Sequence, residues 1–217
     1  NTAEGVVFTL RLPRMIGAVL VGSALSLSGA AYQGVFKNPL VAPDLLGVSS
    51  GACVGASVAI LLHLNSFGVQ AMAFVAGVLA GGLTLFIPRL IKNTNMTMLV
   101  LSGIIVKGIM DSVMGIIKYV ADPETELQSI TYWQLGSLTK VLPRDLFTVG
   151  PVIIAASVII FLLRWRINIL SLGDREAKTL GVSVTVVRNF IIICATLLTA
   201  SAVCISGTIG WIGLVIP

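Results

Sequence analysis

Charge is scarce in this chain. Of its 217 residues only 11% are Asp, Glu, Lys or Arg, against about a quarter in a soluble domain whose surface must face water. With 56% hydrophobic residues and a mean hydropathy of +1.02, the solvent for most of the chain is lipid. Histidine occurs once, as His63. There is no HExxH, no GxSxG and no Walker A glycine loop, so neither metal-dependent hydrolysis nor ATP binding has its required parts. His63 reads as an interfacial polar residue. Cys53, Cys194 and Cys204 lie in apolar stretches without CxxC or ligand spacing, which excludes a metal cluster from the pattern and leaves them as small packing residues. The net charge of +5 reads as Lys and Arg gathered in cytoplasmic loops rather than as a nucleic-acid surface.

Long apolar runs are what the chain has in their place. Windows of about 20 such residues predict six spans, at 15–35, 47–64, 69–91, 97–119, 147–164 and 186–206, with a seventh starting near Gly210. The runs are continuous rather than alternating, which excludes a transmembrane barrel. The expected fold is all-α, a polytopic transmembrane helical bundle forming a single domain over residues 1–217. Small residues are dense within the runs, as at Gly51-Ala52, Gly55-Ala56 and Gly77 through Gly82, and close packing through them supplies the helix contacts that lipid does not drive. The chain opens on a polar stub and stops at Pro217 inside an apolar run, so both ends read as cut. An outside start places Lys37, Arg89, Lys92, Arg164, Arg166, Arg175, Lys178 and Arg188 inside, against five basic residues outside: Arg11, Arg14, Lys118, Lys140 and Arg144.

Four connections could carry function. Pro39 and Pro43 cannot sit in one continuous helix, so 37–44 is an irregular cytoplasmic turn, and Ser49, Ser50 and Gly51 open the next span. Lys92–Thr97 is a short polar loop. The external stretch 121–145 holds an amphipathic segment with Tyr132-Trp133, which suits the membrane interface, where it could serve as an anchoring helix. The internal loop 164–186 interleaves Leu172, Ala177, Leu180 and Val182 with Asp174, Arg175, Glu176 and Lys178, and predicts one or two amphipathic helices lying across the cytoplasmic face. Within the fourth span Lys107 and Asp111 share a helix face about 15 Å from Thr97. Paired, they would serve either to fix helix rotation or to line a water path.

At these loops the chain resembles the permease subunits of bacterial importers for iron–siderophore, haem and cobalamin, the FecCD-type permeases. The marks are Arg11-Leu12-Pro13-Arg14, Gln33-Gly34 through Asn38-Pro39-Leu40 to Leu46-Gly47-Val48-Ser49-Ser50-Gly51, and Leu101-Ser102-Gly103. Tyr132-Trp133 with Gly136-Ser137, Leu172-Gly173 through Ala177 to Leu180-Gly181-Val182, and Ser206-Gly207 to Pro217 complete the set, in order and over essentially the whole chain. Thr208 stands where the usual motif has proline.

The resemblance implies a multi-pass subunit of the bacterial inner membrane with ten spans in its full length. It implies a second permease subunit (identical or a paralogue), two cytoplasmic ATPases and an extracytoplasmic substrate-binding protein, with no nucleic acid among the partners. It also implies no cofactor or metal in this subunit and no enzyme activity of its own, ATP and Mg being bound by the ATPases. Position by position, Arg11 and Arg14 match the external arginines that receive the binding protein. Asn38 and Leu40 match one cytoplasmic gate; Asn95, Met96 and Thr97 match the other, with Met96 where a small hydroxyl residue is common. Leu172, Gly173, Asp174, Arg175, Glu176, Ala177, Leu180 and Gly181 match the coupling helices that seat in the ATPase. Lys107 and Asp111 lie outside the resemblance. An ion-coupled secondary transporter and a non-transporting membrane subunit are the rival readings of the residues.

Overall fold

The computed structural model describes residues 7–92 and 95–217, the Lys140 side chain excepted. Among them there are helices and turns and no strand. A π-helical turn, Val7–Arg11, leads into α1 (Leu12–Phe36), with Pro13 in its first turn, where a missing N–H costs nothing. Then follow α2 (Val48–Leu61), α3 (Ser66–Leu90), α4 (Met96–Val120), the short α5 (Glu126–Gln134) and α6 (Pro143–Leu162). Two further short helices, α7 (Arg164–Leu172) and α8 (Asp174–Thr179), precede α9 (Val184–Ser206) and a last turn, α10 (Ile212–Val215).

Five helices are long and apolar enough to cross a membrane: α1 with its leading turn, α3, α4, α6 and α9. The second expected span is different. At 14 residues, α2 is about 21 Å long, short of the roughly 30 Å of a bilayer core. The cause is the break before it. The chain leaves α1 at Lys37 with a positive φ of 52°, turns at Pro39, makes a 3-10 turn over Pro43–Leu46, and enters α2 through Gly47 at φ 72°. There the Val48 carbonyl stands against Gly77 of α3, so α2 starts part-way along its neighbour. Irregular backbone at such depth must find partners inside the protein. Thr84 Oγ1 donates to the Leu46 carbonyl at 2.9 Å, Gly47 N–H to the Asp44 carbonyl at 3.1 Å, and the Ser49 hydroxyl to the Asp44 carboxylate. The seventh expected span likewise begins as a non-helical stretch, only Ile212–Val215 being helical.

α9 is the hub, with 78% of its most apolar window buried, packed against α1, α2, α3 and α6. Tyr32 and Thr196 hydroxyls meet at 3.1 Å, and Thr199 Oγ1 donates to Ser28 Oγ at 3.2 Å, tying α1 to α9. Between α2 and α3 the backbones approach so closely that a methyl group on Gly55 would overlap the Met72 carbonyl. The small residues of the sequence are therefore contact surface, as lipid-embedded packing requires.

At the opposite end from the Lys37 turn, α5 roofs α2 with Ile130 buried beneath it. Its head is held by the Asp122 carboxylate, which accepts from Glu124 N–H and Thr125 Oγ1, both at 3.0 Å. Here the expectation of an aromatic pair at the interface divides: Tyr132 is exposed, but Trp133 packs inward. His63 lies at this end, exposed, 3.5 Å from Glu126.

Candidate functional site

The residues singled out in the sequence fall at the two ends of the bundle and along one face of α4. Arg11 and Arg14 lie at the start of α1 with both side chains exposed. No ion pair engages either of them among the described residues.

At the other end the two segments expected to act as gates differ in build. Asn38 Oδ1 accepts from Leu40 N–H at 2.9 Å, a local turn that an Asn side chain makes readily. It holds Leu40 outward with 79% of its surface exposed. In the second segment Asn95 and Thr97 are exposed, whereas Met96 turns inward onto the main core. Residues 93 and 94 lie outside the described set.

The expected amphipathic loop is two helices. α7 lies against α1, with Ile167 over Gly34 and Leu170 fully buried; α8 is pinned by Ala177, also fully buried. The break between them is Gly173, whose φ of 150° suits glycine, while Gly181 at φ 76° ends the pair. Above this footing Trp165, Leu172 and Leu180 are exposed among Arg175, Glu176 and Lys178. A rigid base carrying an exposed mixture of apolar and charged groups has the composition of a docking surface.

Asp174 does not belong to that outward set, although its sequence neighbours do. Its carboxylate turns back and accepts from one guanidinium nitrogen of Arg188 on α9 at 2.8 Å to both oxygens, and from Lys37 Nζ at 3.1 Å. Arg188 is buried. The Arg188 hydrogen bond, helped by Lys37 and opposed by partial burial, holds the Asp174 carboxyl below the usual carboxylate range. Sequence reasoning counted Arg188 and Lys37 only as loop charge. The signal available was a lone cation five residues into an apolar span, where an ionisable group needs a partner.

The intramembrane pair forms no ion pair. Lys107 and Asp111 are both exposed on α4, and no salt bridge joins them among the described residues. A cation placed N-terminal to the acid at this spacing is the weaker order on a helix. Both instead face open space. Helical periodicity puts Lys107, Asp111, Ile104 and Gly115 toward one side of the exposed arc of α4 and Ile105, Ile109 and Ile116 toward the other, with Gly108, Leu101 and Ser112 between them. Beside the first side opens a cavity of about 520 Å³ bordered by Lys107, Asp44, Leu40 and Trp211. The Leu40 turn and the Lys107 side of α4 therefore share one opening.

A helical bundle with a broken span, a groove beside it and a two-helix platform at one end defines a multi-pass inner-membrane protein of the permease type. The chain belongs to the FecCD transport family, whose model matches residues 1–217. It is 40% identical, over 98% of its length, to a Helicobacter pylori protein described as a probable iron chelatin transport system permease. It is 37% identical over 99% to the molybdate import permease MolB of Haemophilus influenzae, and 37% over 96% to the hemin permease HmuU of Yersinia pestis. The chain spans about 64% of the length of these curated relatives. Among solved structures it matches, at TM-score 0.90 and 37% identity, a metal-chelate type ABC transporter in an inward-facing conformation, over 98% of this chain and 68% of that one.

Proposed function

We propose that this chain forms the translocation path of a binding-protein-dependent ABC importer. It would carry an iron–siderophore-type chelate across the inner membrane, driven by separate ATPase subunits. The observation that carries the reading is the platform of α7 and α8: buried below by Leu170 and Ala177, exposed above through Leu172, Arg175, Glu176 and Leu180. A transporter working alone needs no such surface. The cargo is taken from the iron chelatin relative; the molybdate and hemin relatives mark the range of chelates and oxyanions within the family.

In this mechanism a loaded binding protein docks on Arg11 and Arg14. ATP binding closes the two nucleotide domains and moves α7 and α8. The movement reaches the gate segments at 38–40 and 95–97, and cargo descends beside the charged edge of α4. ATP contributes a bias between inward-open and outward-open states through contacts that differ between them.

The test is to purify the full-length permease with its neighbouring ATPase and to follow ATP hydrolysis and uptake of a radiolabelled ferric siderophore in lipid vesicles. Reversing Arg175 and Glu176 together is expected to lose the ATPase from the complex. A permease that purifies without ATPase, and whose uptake stops when the proton gradient collapses, would favour a secondary transporter instead.

A further inference from the structure

Asp174 is the only member of the platform's charged set that faces the bundle, and its two partners lie on different structural units. Arg188 is on α9, the buried hub. Lys37 caps the end of α1, one residue before Asn38, whose side chain sets the Leu40 turn. Three residues thus link the platform to the gate on one side, and a salt bridge links it to the core on the other. We propose that Lys37 and Arg188 are positioning residues for transport: Arg188 holds Asp174 at a fixed point on the hub, and Lys37 passes the movement of α8 to the Leu40 gate.

The geometry gives the two contacts unequal roles. Arg188 approaches at 2.8 Å from a buried site, and its Nε finds no acceptor among the described residues, so Asp174 supplies its hydrogen bonding. A buried guanidinium deprived of its only carboxylate would be an uncompensated charge, so this contact persists through any movement of the platform. Lys37 reaches Asp174 at 3.1 Å with both side chains partly exposed. Such a contact is cheap to stretch or exchange. The firm contact is therefore the pivot, and the soft one the connecting link to the gate turn. The left-handed backbone at Lys37, φ 52°, makes that turn sharp, so a small displacement of its side chain redirects the residues that follow.

The inference rests on the ABC-importer reading, and the experiment separates the two. A nitroxide on Leu40→Cys in the full-length permease, assembled with its ATPase in lipid, reports gate movement when ATP and vanadate are added. In the otherwise native complex the label is expected to respond. Lys37→Met is expected to leave the complex assembled but to reduce the response at least about fivefold, the lower range of an allosteric coupling. Lys37→Arg, which keeps the cation, is expected to restore it. Asp174→Asn should abolish the response, and Asp174→Glu should retain part of it. A Lys37→Met complex that responds fully, or a Lys37→Arg complex that remains as impaired as Lys37→Met, would overturn the proposal. Failure of the label to respond in the native background, with ATPase bound, would overturn the functional reading and this inference with it.

Discussion

A single methyl group distinguishes two glycines on α4. Gly103 faces the broken segment so closely that a Cβ would overlap the Leu45 carbonyl, while Gly108, on the open arc, has nothing within 4 Å. Gly103→Ala is expected to cost about 1–3 kcal/mol through overpacking, and Gly108→Ala to be neutral or slightly stabilising from helix propensity. Thermal unfolding in detergent compares them; equal melting temperatures would contradict the packing seen around Leu45. Asp174 gives a second prediction at this scale. Because Arg188 holds its folded pKa below the ordinary 3.8, the stabilisation is fully present above that value and is lost as pH falls through the folded pKa. The stability gap between the native protein and Asp174→Asn should therefore be flat from about pH 5 to 8 and close in stronger acid. A gap that already titrates near neutrality would mean that some other group, not Asp174, controls the contact.

Among the elements, the broken second span depends most on side chains distant in sequence. Thr84 Oγ1 satisfies the Leu46 carbonyl from the neighbouring helix and is itself buried. Thr84→Val keeps the shape and removes that donor, so a loss of about 1–3 kcal/mol is expected, with Thr84→Ser recovering most of it. Denaturation of the three proteins in one detergent checks the order. The prolines at 39 and 43 announced the break, but not how far the chain re-enters, because hydropathy records which residues are apolar and not which carbonyl needs a donor. The platform was more legible. Interleaved apolar and charged residues predicted one or two amphipathic helices there; the structure has two, and Leu170 and Ala177 are buried as an amphipathic pattern requires. The direction of Asp174 was not legible, since its partners lie 14 and 137 residues away. Nor was the separation of Lys107 from Asp111, because spacing along a helix places two charges on one face without making them meet.

For the whole molecule the decisive feature is the unequal exposure of its spans. The most apolar window of α9 is 78% buried, whereas that of α4 is 28% buried. An exposed arc can face lipid, another subunit or water, and the two edges of α4 do not suit the same one. Isoleucines at 105, 109 and 116 are at home against acyl chains. Lys107 and Asp111 are not, at roughly 2.5–3.5 kcal/mol for each charge placed at the centre of a span. Lys107 borders the cavity shared with Asp44 and the Leu40 turn, and under the importer reading proposed above that side of α4 is the wall of the path, with Ile105, Ile109 and Ile116 outside it. Single cysteines at Ile104, which borders that cavity, and at Ile109 test the assignment in the assembled complex. The native Cys53, Cys194 and Cys204 are all buried and should give little background. A membrane-impermeant maleimide, which needs water at the thiol, is expected to label Ile104→Cys at least about tenfold faster than Ile109→Cys, a difference equivalent to about 1.4 kcal/mol in barrier. Nucleotide should change the first rate and leave the second alone, because in the proposed importer only the path alternates its access. Equal rates at the two positions would place both edges in one environment, and the charges of α4 would then have to be neutralised by a neighbouring subunit rather than by water.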